Sequence, residues 1–92
     1  MNIQGKYTIT RYYDNGQLKE QSNHKDGEFD GLHKIWNEDG QLRWEFNYKD
    51  GTQEGLQKGW HSNGQLRWEA NYKDGEVIDS VLTDNPNQPT KK

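Results

Sequence analysis

Asp39 to Gly51 reads DGQLRWEFNYKDG, and Asn63 to Gly75 reads NGQLRWEANYKDG. Eleven of the thirteen letters are the same, and a fainter copy, NGQLKEQSNHKDG, runs from Asn15 to Gly27. Gly16, Gly40 and Gly64 stand 24 residues apart, as do Gly27, Gly51 and Gly75. A fixed period of this size marks an array of repeated units and is read before any local pattern.

Within each copy the letters alternate. In QLRWEFNY, Leu42, Trp44, Phe46 and Tyr48 are apolar, and Gln41, Arg43, Glu45 and Asn47 are polar. A period of two is a β-strand with one apolar and one wet face. Two turn signals flank it, Asn-Gly or Asp-Gly at one end and Lys-Asp-Gly at the other. Both supply residues that tolerate positive φ. Turns spaced alternately by 11 and 13 residues read as successive short antiparallel strands. The fold expected is all-β: a single-layer antiparallel meander of β-hairpins with a 24-residue period, elongated and twisted.

The register follows from parity. A three-residue loop, Glu38-Asp39-Gly40, sets Trp36 opposite Leu42, Lys34 opposite Trp44 and Leu32 opposite Phe46. The same loop at Lys49-Asp50-Gly51 sets Tyr48 opposite Thr52 and Trp44 opposite Leu56. This predicts all large even-numbered residues on one side, since a slip of one residue mixes the faces. Gly31 and Gly55 fall inside strands and are expected to bend or bulge them. The stretch from Tyr7 to Tyr13 alternates poorly and reads as a divergent end unit. EVIDSVL after Gly75 reads as a closing strand. The repeat domain is therefore placed at residues 1–82, with units at about 8–31, 32–55 and 56–79. TDNPNQPTKK, residues 83–92, reads as a disordered tail, having two prolines and no apolar residue.

Composition narrows the function. Hydrophobic residues make up only 27%, too few for an ordinary two-layer core, while four Trp and five Tyr argue against a disordered chain. There are no cysteines, so disulfide frameworks and Cys-based zinc sites are excluded. MNIQGKYTIT lacks the apolar core of a signal peptide, and no run reaches transmembrane length. The expected location is cytoplasmic. A net charge of −3 disfavours nucleic acid and anionic membranes.

An apolar face with nothing predicted to cover it points to binding. The expected groove carries Trp36, Trp44, Trp60, Trp68, Tyr48 and Tyr72, each ring offering about 150–250 Å². Rings at a repeat period also serve as the array's own core, and both roles can hold together. Lys19, Arg43, Arg67, Glu45 and Glu69 recur in phase and read as a solvated face. His24, His33 and His61 occupy three different repeat positions, which defines no common site. No metal site, cofactor or catalytic set is expected, since neither a calcium loop nor a nucleophile motif is present.

Tyr12–Glu20 (YYDNGQLKE), Ile35–Gly55 (IWNEDGQLRWEFNYKDGTQEG) and Gly59–Gly75 (GWHSNGQLRWEANYKDG) resemble the MORN-repeat variant. Bacterial chains of this kind are similar to the antitoxin component of the YwqK family, thought to neutralise a toxin encoded nearby. The resemblance implies a binding role without catalytic residues. The function expected is thus a non-catalytic protein-interaction module of antitoxin or immunity type, binding a protein through its aromatic face or a sheet edge. The alternatives are a hairpin array for a choline, cell-wall or lipid-headgroup ligand, and self-association with a second copy.

Overall fold

A computed structural model describes residues 4–82. Eight strands form one antiparallel sheet: β1 (Lys6–Tyr12), β2 (Leu18–Lys25), β3 (Glu28–Trp36), β4 (Leu42–Lys49), β5 (Thr52–Gln53), β6 (Gly55–Trp60), β7 (Leu66–Lys73) and β8 (Glu76–Leu82). The order is β1-β2-β3-β4-β6-β7-β8, with the short β5 also on β4. Chain order is sheet order, so the fold is the expected open meander. With extents of 51 × 37 × 13 Å it is one layer thick, and no helix occurs among the described residues. EVIDSVL forms the closing strand β8. The expected tail, 83–92, lies outside the described residues.

Two kinds of turn alternate. At the first, the Gly40 N–H donates to the Asn37 carbonyl (3.0 Å) and the Asn37 N–H to the Gln41 carbonyl (2.8 Å). This is the three-residue loop Glu38-Asp39-Gly40, with Gly40 left-handed at φ 94°. Asp39 Oδ1 accepts the Gln41 N–H at 3.0 Å, and Asn15 and Asn63 do the same for Gln17 and Gln65. The second kind differs from expectation. Asp50 and Gly51 are both left-handed, at φ 51° and 83°, and Lys49 faces Thr52 directly. This is a two-residue loop of the I′ kind, whose twist matches the strands it joins. Tyr48 therefore faces Gln53, in place of the expected Thr52.

A second correction concerns the faces. Trp36 does face Leu42, but the next pair inward is Ile35 with Trp44. Arg43 is an extra residue, a β-bulge that shifts the register by one. Arg67 and Lys19 play the same part between β6 and β7 and between β1 and β2. Directly opposed residues share a face and consecutive residues alternate. Trp36 and Trp60 therefore lie on the side of the sheet opposite to Trp44 and Trp68. The large even-numbered residues do not share one side.

Gly31 and Gly55 bend their strands, at φ 106° and 94°. Asn23 stands opposite the three residues Asp30, Gly31 and Leu32, and its Nδ2 donates to the Leu32 carbonyl at 2.9 Å. Asn47 repeats this on Leu56 at 2.6 Å.

Neighbouring units are tied at both rims. Tyr13 Oη donates to the Trp36 carbonyl (2.6 Å), and Asn15 Nδ2 to that of Glu38 (3.1 Å). At the other rim the Asp50 N–H donates to Asp30 Oδ1 (2.9 Å) and the Asp74 N–H to Glu54 Oε1 (3.0 Å). Each unit thus satisfies the turn amides of the next.

Candidate functional site

The two faces differ in chemistry. One carries Trp44, Phe46 and Tyr48 from β4, Trp68, Ala70 and Tyr72 from β7, Phe29, His33 and Ile35 from β3, and Glu20, Ser22 and His24 from β2. We call it the ring face. Among its charged groups Arg11 and Glu20 pair at 3.4 Å, Glu20 also holds His33 Nε2 at 2.7 Å, and the Arg43 guanidinium lies 5.6 Å from the Trp44 ring centre. Across the middle of the opposite face run Lys34, Glu45, Lys58 and Glu69, each directly opposed to the next, so that signs alternate.

The ring face is built around one row of buried positions. Ser22 (5% exposed), His33 (9%), Gln57 (0%) and Ala70 (2%) lie along it. Ala70 is the one apolar side chain fully buried among the described residues. Gln57 spends its amide on backbone. Its Oε1 accepts the Asn47 N–H at 2.8 Å, and its Nε2 donates to the carbonyls of Asn47 (3.0 Å) and Gly55 (3.2 Å). A buried amide paired in this way carries no desolvation penalty for a missing partner.

The half-buried rings form a continuous belt around this row. Tyr7 stacks on His24 with centroids 5.0 Å apart, and His24 meets Phe29 at 5.0 Å. Phe29 stacks on His33 at 4.9 Å and on Tyr48 at 4.9 Å. His33 meets Phe46 at 5.9 Å, Phe46 stacks on Trp44 at 5.8 Å, and Trp44 meets Trp68 edge-on at 6.4 Å. These offset and edge geometries are the favoured ones for aromatic pairs. Burial also pushes the Tyr48 phenol above its ordinary pKa.

Trp44 and Trp68 meet because of Gly59, which faces both across the ladder. A Cβ at Gly59 would lie 2.5 Å from Trp44 Cζ3 and 2.8 Å from Cε3. The indole lies down where the second unit has Ile35 at the same repeat position.

Of the six expected binding residues, Trp44, Tyr48, Trp68 and Tyr72 share the ring face. Trp36 and Trp60 do not. Trp36 sits at the rim, where its carbonyl accepts the Tyr13 hydroxyl. Sequence reasoning missed Tyr7, His24, Phe29 and His33 as members of the belt. The phase of His24 with Tyr48 and Tyr72 was a usable signal. Phe29, odd-numbered and just after a turn, gave none.

The Ser22 hydroxyl lies 2.8 Å from His24 Nε2. This is the spacing of a nucleophile and its base, but Ser22 is buried in the central row. Among the described residues no three His, Cys, Asp or Glu side chains are grouped to hold a metal, and no helix is long and apolar enough to cross a membrane.

A family model described as MORN repeat variant matches the chain three times, over residues 8–26, 29–50 and 53–74. Each match ends in or beside a Lys-Asp-Gly turn, in phase with the hairpins. Neither the curated proteins nor the solved structures give a match.

Proposed function

The chain belongs to the MORN repeat variant family, and from that premise we propose that it is a non-catalytic module of antitoxin or immunity type that binds a partner protein on its ring face. The observation that carries the reading is the half-open aromatic belt. Tyr7, Phe29, Trp44, Phe46, Tyr48, Trp68 and Tyr72 each keep part of their surface in water. At about 150–250 Å² per ring, with no more than about a third of each exposed, they offer at most roughly 400–600 Å². A standard interface takes about 800 Å² from each partner. A face rich in rings and poor in charge resembles the centre of such an interface, and Trp is enriched among hot spots.

The antitoxin part of the reading draws on the resemblance of the Gly-Gln-Leu units to the YwqK family. The overall charge of −3 suits a basic target, drawn in by long-range attraction. The test begins with capture of a partner from host lysate. The captured protein is then purified and its affinity measured for the native chain, for Trp44→Ala/Trp68→Ala and for Trp60→Ala on the opposite face. The expected loss is about 100-fold for the double variant and under about threefold for the control. Equal losses in both, or none in either, would sink the ring face as the docking surface. The association rate is expected to fall as salt rises.

A further inference from the structure

The meander alternates two kinds of strand. β3 and β6 each lie between two strands of the Gln-Leu kind: β2 and β4 for β3, β4 and β7 for β6. β8 stands one period after β6 and, among the described residues, has β7 on one flank only. The sequence that follows, TDNPNQPTKK, carries none of the Gln-Leu, Trp or Tyr letters of such a strand.

The two sheet edges are unlike. β1, KYTITRY, exposes Ile9 and Tyr12 but also carries Lys6 and Arg11, the kind of positive charge that guards an edge against pairing. β8, EVIDSVL, exposes Val77 (52%), Ile78 (65%) and Val81 (54%). Its only charges are Glu76 and Asp79, both negative. Val77 faces Tyr72 and so continues the ring face, whereas Val81 faces Glu69 on the other side. An arriving strand would therefore find apolar contact on both faces and carboxylates along its length.

We propose that the β8 edge is a second docking surface, which takes an extended strand of a partner protein whose apolar residues alternate with Lys or Arg and which pairs antiparallel with β8. Main-chain hydrogen bonds supply the affinity, and the alternating side chains the selectivity. The inference rests on the reading of the chain as an interaction module, but it uses a different surface.

The probe is a synthetic peptide, GKLRWKARYK, the kind of strand that the repeat places after β3 and β6 with Lys or Arg at each polar position. It is titrated into the full chain and followed by amide NMR. Shifts and slowed exchange are expected at Val77–Val81. N-methylation at alternate peptide residues, which removes donors, should weaken binding at least about tenfold. So should Ile78→Lys/Val81→Lys in the chain, two exposed positions, with circular dichroism used to check that the fold is intact. Equal binding by the methylated peptide, shifts at β1, or no shift at about 1 mM peptide would overturn the proposal. Loss of peptide binding in Trp44→Ala/Trp68→Ala, with the edge variant unaffected, would also overturn it, while leaving the ring-face reading standing.

Discussion

Where the second and third units carry Trp44 and Trp68, the first carries Glu20, and Ser22 stands where Phe46 and Ala70 would be. The backbone frame is the same in all three: an Asn-Gly or Asp-Gly loop, a bulge at Lys19, Arg43 or Arg67, and an Asp-Gly turn. The fillings differ. In the first unit Glu20 takes His33 and Arg11, and Ser22 takes His24. In the third, Trp68 meets Trp44 over a glycine. His33 and Gln57 make the point most directly, since they share a repeat position and are both buried. One is held at Nε2 by a side chain while its buried Nδ1 has no partner, and the other is held by backbone. The difference teaches that turns and bulges hold the sheet, while the central row accepts a side chain or the backbone as partner for a buried polar group. The outer rows are left free to carry rings or charges.

Three substitutions press on this contrast. Gly59→Ile gives the third unit the letter that the second has at Ile35. Its Cβ would meet the Trp44 ring, and overpacking of this kind costs about 3 kcal/mol. Urea unfolding reads the loss and near-UV dichroism the displaced indole; a native spectrum at native stability would mean that Trp44 does not rest on Gly59. Gln57→Leu keeps the volume but strips the Asn47 N–H of its acceptor and removes the amide donor from the carbonyls of Gly55 and Asn47, the latter keeping the Glu54 N–H. The expected cost is about 2 kcal/mol by urea unfolding, since the apolar replacement leaves partners unpaired. A neutral result would show that water reaches the central row. Glu20→Ala leaves the buried His33 Nε2 without its carboxylate, while the exposed Arg11 returns to solvent. Here about 1 kcal/mol is expected, and a gain in stability would show that the polar first unit is held by something other than this cluster.

Much of the frame is legible in the letters. The period, the strands, the three-residue loops and the bends at Gly31 and Gly55 follow from spacing and residue type. The faces were harder. A bulge adds one residue and has no letter of its own: Lys19, Arg43 and Arg67 look like ordinary polar positions in an alternating strand. A shift of one residue exchanges the faces beyond it, which is how Trp36 and Trp60 parted from Trp44 and Trp68. Asp-Gly serves two-residue and three-residue loops alike, and only the left-handed Asp50 distinguishes them. Within the candidate site, the β4 rings were readable from alternation. The part played by Gly59 was not, because nothing in Lys-Gly-Trp says that an indole two strands' breadth from Trp68 will lie across it.

The rim bonds between units have a consequence for how such a chain can change. Asp30 serves the turn at Asp50, and Glu54 serves the turn at Asp74, in the same way. A gene duplication of one whole period would bring its own donor and its own acceptor and close the same bonds again. Each such event adds two strands and lengthens the sheet by about 10 Å. A deletion of a whole period shortens it by as much. Any other length of insertion leaves a turn amide without its carboxylate. The reach of the surface is therefore quantised, and heredity can tune it in steps without redesigning a single contact.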